Sequence, residues 1–161
     1  MTHHDKIFSV QNLLFPSFSS NPDGISGDLL FKGCKRHCKG CHNLELQEFA
    51  PPDTSVNDII RAIKANDIHI LTLMGGEPLD QDIKALRYLI CSVKDEVKGL
   101  KVSLYTGNEF EEIPEEILEL VDYVKTGRYD EDNLSNGDYF LASYNQRFYK
   151  RANSGFTLYV P

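Results

Sequence analysis

No apolar run in this sequence approaches the ~20 residues needed to cross a bilayer. The N-terminal stretch MTHHDKIFSVQNLLF lacks the basic region, long apolar core and small-residue cleavage site of a secretory signal. Both absences predict a cytoplasmic protein with no membrane association. Positive charge is also short: 17 Lys and Arg stand against 24 Asp and Glu, for a net charge of −7. Such an acidic chain is poorly suited to the phosphate-dominated binding of nucleic acid. Cysteine is scarce, at four residues. In a cytoplasmic protein this usage points away from disulfides. Neither an internal repeat nor a low-complexity tract is present, and no nucleophile–base pair stands out.

What is there is ordinary in bulk. The 161 residues, 41% hydrophobic and 25% charged, suit one domain, residues 1–161, around one hydrophobic core. Strand and helix signals alternate. DLLFKG (28–33), IHILTLMGG (68–76), LKVSLYTG (100–107) and DYVKTG (122–127) are short runs that each end in Gly. Between them lie helical patterns. Val56, Ile59, Ile60 and Ile63 follow the capping candidates Asp53, Thr54 and Ser55, and Ser55 with Asp58 fits a capping box. Leu79, Ile83, Leu86, Ile90, Val93 and Val97 mark a second helix on one apolar stripe. PEEILELV (114–121) predicts a third, short one, with acids in its first turn. The tail GDYFLASYNQRFYKRANSGFTLYVP is aromatic and less periodic.

Repeated βα units predict an α/β fold with a mostly parallel sheet. About four units are visible, where a closed barrel needs eight. The expected architecture is therefore a small, incomplete β/α barrel. In such folds sites are built at the carboxyl ends of the strands.

Three of the four cysteines fall in one such place. In GCKRHCKGCHN (33–43), Cys34, Cys38 and Cys41 are spaced C-x3-C-x2-C directly after the first of these strands. Three thiols this close read as a metal site, and thiolates suit zinc and iron–sulfur clusters. A structural zinc site wants four closed ligands, usually from two knuckles. There is one knuckle here, with His37 or His42 able to complete a Cys3His set. Spacing alone leaves both metals open. A cubane held by three thiolates keeps one iron open to a small molecule, as a catalytic metal site does. Lys32, Lys35, Arg36, His37 and Lys39 form a basic island around the trio, read either as a solvated loop or as positive charge that favours thiolates. Cys91 lies in the second helix, off its apolar stripe, and is not a fourth ligand. His3 and His4 are isolated in the N-terminal segment.

A second motif follows one unit later. In TLMGGEPL (72–79), Gly75 and Gly76 allow a tight turn, Glu77 offers a carboxylate, and Pro78 pre-sets the next helix. Backbone carbonyls and one carboxylate are all acceptors, suited to an ammonium group.

Together the two motifs resemble the radical S-adenosylmethionine enzymes, whose signature is C-x3-C-x2-C after the first strand and a GGE(P) loop after the second. The resemblance implies a [4Fe-4S] cluster on Cys34, Cys38 and Cys41. It further implies that the fourth iron takes the amino and carboxylate groups of S-adenosylmethionine, with Gly75, Gly76 and Glu77 holding the amino group and Pro78 completing the loop. Tyr105, Thr106 and Gly107 end the third strand on the same face and are expected at the ribose or adenine.

Within these enzymes, CKGCHN, LYTGNEFEEI, VDYVKTGRYDED and SYNQRFYK resemble segments of the glycyl-radical-enzyme activases. The Gly before Cys41 and the last three segments are similar to those of the activase serving anaerobic ribonucleoside-triphosphate reductase. That resemblance implies reductive cleavage of S-adenosylmethionine to a 5′-deoxyadenosyl radical, which takes a hydrogen atom from a glycine of the reductase. A one-electron donor, such as a flavodoxin-like or ferredoxin-like protein, would reduce the cluster. Asn145, Gln146 and Arg147 are candidates to close the site or meet the partner. The chain departs from the pattern twice: DGISGDLL lacks the expected Arg, and Thr126 stands where Asp is usual before Gly127. CHN is also seen in the activase of pyruvate formate-lyase. Activation of another glycyl radical enzyme, a different small radical enzyme of this class, and a non-catalytic zinc module are the competing readings.

Overall fold

The computed structural model describes residues 1–136 and 140–160. Residues 137–139 and 161 of the aromatic tail lie outside the described residues. Among those described there are nine strands: β1 (Lys6–Phe8), β2 (Phe15–Ser17), β3 (Ser26–Phe31), β4 (Thr54–Ser55), β5 (Ile70–Gly75), β6 (Lys101–Tyr105), β7 (Tyr123–Thr126), β8 (Arg147–Ala152) and β9 (Gly155–Leu158). The α-helices are α1 (Val56–Ala65), α2 (Ile83–Glu96) and α3 (Glu115–Leu118).

Seven strands form one sheet in the order β2-β3-β5-β6-β7-β8-β9. Its centre, β3 to β7, is parallel, as the βα units predict. Its flanks are antiparallel: β2 on β3, β8 on β7 and β9 on β8. The sheet is open, with β2 and β9 at its edges. β1 and β4 pair separately. The short outer strands carry no clear alternation, so periodicity alone missed them.

Helix α1 starts where its capping signal says. The Ser55 hydroxyl accepts from the Asp58 amide at 3.1 Å, and the Asp58 carboxylate accepts from the Ser55 amide at 3.0 Å. Val56, Ile59, Ile60 and Ile63 are all buried. Each stabilises the fold by about 1.5–3 kcal/mol. Helix α2 starts later than its apolar stripe suggests. Glu77 caps a separate 3-10 turn, Pro78–Asp80. The chain is then extended at Gln81 and Asp82, and Asp82 caps the helix through the Ala85 amide at 2.9 Å. Leu79 still packs on the core. Helix α3 is half its predicted length. The Asp122 amide bonds to the Val102 carbonyl at 2.7 Å and draws the chain into β7.

Strand residues alternate between two faces. Leu29, Leu71, Leu73, Val102, Leu104 and Val124 pack with α1 and α2 in the main core. On the other face Ile70, Tyr123 and Phe148 form a smaller cluster, joined by Tyr105, Phe140, Leu141 and Tyr159. The face that carries this smaller cluster ends in a cavity of about 240 Å³, at the carboxyl ends of β3, β5, β6 and β7.

Candidate functional site

The cysteine loop leaves β3 and is stitched at once to the chain beyond it. The amides of Gly33 and Cys34 donate to the carbonyls of Leu46 and Gln47, at 2.8 and 3.0 Å. His37 Nδ1 lies 3.0 Å from Gln47 Oε1. Cys34, Cys38 and Cys41 all line the cavity as free thiols; Cys91 does not line it. The Arg36 amide points at Cys34 Sγ at 3.5 Å and the Asn43 amide at Cys41 Sγ at 3.4 Å. Such N–H donors stabilise thiolates and tune a cluster's potential.

The basic island does less for the thiols than its position in sequence implies. Burial pushes the Cys34 thiol up, and the Glu77 and Asp80 carboxylates add to this against the Arg36 and His37 amides. Two of the island's five residues are paired with carboxylates. Lys39 pairs with Glu131 at 2.5 Å, and Arg36 Nε stands 3.5 Å from Glu77 Oε2. That last contact is within ion-pair range but is not aligned as a hydrogen bond, so Arg36 Nε is buried without one.

Among the described residues, no three His, Cys, Asp or Glu side chains converge on a point that would hold a single metal ion. One zinc ion would draw each thiolate to ~2.3 Å of a common centre. A cubane places each thiolate on its own iron and needs no common centre. Three cavity-lining thiols with amide donors to their sulfurs are a donor set that fits a cluster.

The GGE loop crosses directly over the root of the cysteine loop. The Gly76 amide donates to the Phe31 carbonyl at 2.8 Å and the Glu77 amide to the Gly33 carbonyl at 2.9 Å. A side chain at Gly76 would put its Cβ 2.4 Å from the Gly33 carbonyl oxygen and 2.7 Å from that of Leu46. Only glycine allows the approach. Gly75, Gly76 and Glu77 line the cavity, whereas Pro78 is buried in the following turn and does not.

Glu77 is 2% exposed, and its carboxylate is engaged by the protein itself. Oε1 accepts from the Leu79 amide at 3.0 Å and the Thr106 hydroxyl at 2.8 Å. Oε2 accepts from the Gly107 amide at 2.8 Å. Burial pushes its pKa up against these donors and Arg36. Three of the carboxylate's roughly four acceptor positions are thereby filled, and Arg36 stands beside Oε2 as an ion-pair neighbour. Glu77 therefore ties the end of β5 to the end of β6.

Tyr105, Thr106 and Gly107 line the same cavity. The Tyr105 hydroxyl donates to the Ser20 carbonyl. Its ring is a wall rather than a free hydrogen-bonding group. The Lys125 ammonium sits over that ring, 4.7 Å from its centroid, and also lines the cavity. Sequence reading missed Lys125. It sits beside Tyr105 in the register of β6 and β7, a pairing that no local pattern gives.

The SYNQR segment serves the backbone. Gln146 is buried; its Oε1 accepts from the Ala142 and Ser143 amides at 2.9 and 3.2 Å, and its Nε2 donates to the Gly127 carbonyl at 3.0 Å. It lines the cavity as well. Asn145 donates to the Arg128 carbonyl at 2.7 Å, and Arg147 to those of Tyr144 and Gln146 at 2.8 and 2.7 Å. Thr126 is buried at the end of β7, opposite Arg147. His42 Nε2 and the Tyr129 hydroxyl, both lining the cavity, lie 3.0 Å apart.

No helix among the described residues is long and apolar enough to cross a membrane. Among curated proteins, none matches the chain. A family model described as a 4Fe-4S single cluster domain matches residues 21–149, which takes in the cysteine loop, the GGE loop and the SYNQR segment. Over that span, and with three thiols gathered at the cavity, the chain belongs to the family of 4Fe-4S single cluster domains and is an iron–sulfur protein.

Proposed function

We propose that this protein is a radical S-adenosylmethionine activase, which generates the glycyl radical of anaerobic ribonucleoside-triphosphate reductase. The observation that carries the reading is convergence. Cys34, Cys38 and Cys41, the loop Gly75–Gly76–Glu77, and the strand end Tyr105–Thr106–Gly107 come from three separate βα junctions and line one cavity. Cys34, Cys38 and Cys41 would hold the cluster by three irons. The cluster and its cosubstrate, when bound, supply reductive cleavage of S-adenosylmethionine and the adenosyl radical that takes a hydrogen atom from the partner's glycine.

The chain's own residues bind, orient and exclude. Glu77 fixes the GGE loop to the β6 junction, so the backbone at Gly75 and Gly76 is held rigid beside the thiols. Tyr105 supplies an apolar wall for a ring. The His42–Tyr129 contact and the Arg128 guanidinium on the Arg36 carbonyl, at 3.3 Å, hold the β7–β8 connection against the cysteine loop. The open sheet leaves access for a protein substrate.

The test is anaerobic reconstitution followed by reduction with S-adenosylmethionine present. Release of 5′-deoxyadenosine is expected. With the reductase added, a glycyl radical should appear by electron paramagnetic resonance. A colourless protein with one zinc per chain, or a loaded cluster that releases no 5′-deoxyadenosine, would overturn the reading. Release of 5′-deoxyadenosine without a radical on this reductase would point to another glycyl radical enzyme.

A further inference from the structure

Two cationic side chains and one carboxylate line the cavity beside the three cysteines. Arg36 and Glu77 stand 3.5 Å apart and offset one another. Among the described residues Lys125 has no carboxylate counterpart. Among the described residues its ammonium makes no ion pair, and its one charge-related contact is the face of the Tyr105 ring. It projects from β7 between Tyr105 on β6 and Phe148 on β8, its two register neighbours. Neither side chain carries a charge that offsets it. Lys125 is half-buried, and an ammonium partly withdrawn from water with no paired carboxylate carries a desolvation cost that an arriving anion would offset. Desolvation accordingly lowers its pKa to about 8, still leaving it mostly charged at neutral pH.

We propose that Lys125 is the anion-binding residue of this cavity and takes the carboxylate of the ligand's amino-acid end. The inference rests on the S-adenosylmethionine reading and adds to it a residue and a selectivity. Glu77 is already committed to Thr106, Gly107 and Leu79, so the loop that should receive the ligand offers acceptors and little positive charge. A carboxylate entering beside it needs a cation from elsewhere. Lys125 is the lining cation not already paired with a carboxylate. The ligand's carboxylate would give the Lys125 ammonium a paired anion.

The test compares S-adenosylmethionine with its decarboxylated analogue on the cluster-loaded, unreduced protein, by isothermal titration calorimetry. The wild type should prefer the carboxylated ligand. Lys125→Met should reduce that preference by about 10- to 100-fold, the weight of one charged hydrogen bond, with iron content unchanged. Lys125→Arg should restore much of it. Because the readout is a ratio within one protein, a general loss of affinity does not imitate it. Should Lys125→Met fail to load a cluster, Lys125→Gln supplies the same comparison. An unchanged ratio in the neutral variants, with normal wild-type binding of S-adenosylmethionine, would overturn the role of Lys125 alone. A wild type that binds neither ligand would overturn the S-adenosylmethionine reading and this proposal with it.

Discussion

Lys125→Met should make the ligand-free holoprotein more stable at pH 7. Burial holds the Lys125 pKa at about 8, against 10.5 for an exposed lysine. That gap of about 2.5, at about 1.36 kcal/mol per pH unit, sets an upper limit of roughly 3 kcal/mol on the cost of the buried charge. Losing the contact with the Tyr105 ring returns about 0.5–1 kcal/mol, and residual exposure lowers the figure further. A net gain of about 1–2 kcal/mol is expected. At pH 7 the lysine is charged in both the folded and the unfolded chain, and only the folded chain carries the desolvation cost. Above pH 10.5 it is neutral in both and the cost is gone. Lys125 therefore contributes stability at high pH that is lost as the pH falls through about 8. The advantage of Lys125→Met should be full at pH 7 and shrink between pH 8 and 10.5. Denaturant unfolding followed by circular dichroism, at pH 7 and about 9.5, measures it. Saturating S-adenosylmethionine should favour the wild type, because only the wild type gains the ion pair. A variant less stable than wild type at pH 7, or an advantage that grows with pH, would refute the reasoning.

Three further outcomes are expected. Alanine at Cys34, Cys38 or Cys41 should abolish iron binding after reconstitution, whereas Cys91→Ala, on α2 and outside the cavity, should keep the wild-type iron content. Gly76→Ala should cost ~1–3 kcal/mol or more, since its Cβ meets two backbone carbonyls that cannot rotate away; loss of soluble yield and of iron loading would register it. Gln146→Ala should cost ~1–3 kcal/mol in unfolding experiments, because it strands the Ala142 and Ser143 amides and the Gly127 carbonyl, while Asn145→Ala, which loses one exposed bond, should cost about 0.5–1 kcal/mol.

The parallel centre of the fold was legible because each signal there is local. β5 and β6 are apolar runs closed by glycine, and α1 carries its own cap in Ser55 and Asp58. The antiparallel flanks were not. β2 reads Phe-Pro-Ser and β8 reads Arg-Phe-Tyr-Lys-Arg-Ala, and each is a strand only because a neighbour offers an edge. The late start of α2 was hidden for a related reason. Leu79 sits at helical spacing yet belongs to another turn, because the Glu77 and Asp82 side chains each capture a nearby amide.

The site divides along the same line. Residue types and spacing put Cys34, Cys38, Cys41 and the GGE loop on the page, since their chemistry is carried by the residues themselves. Which partner each group takes is a tertiary fact. Glu77 looked like a ligand-facing carboxylate. In the folded chain it spends both oxygens on the protein, and burial still raises its pKa. A buried acid held against its preference is a positioning device: it fixes where β5 and β6 end relative to each other and leaves the backbone of Gly75 and Gly76 to meet a ligand. Lys125 is the converse case. Nothing in VDYVKTGRYDED marks it out, and its meaning comes from lining the cavity that the cysteine loop closes, with no carboxylate paired to it. The two charges thus have opposite roles: Glu77's was settled by folding, and Lys125's waits for the ligand.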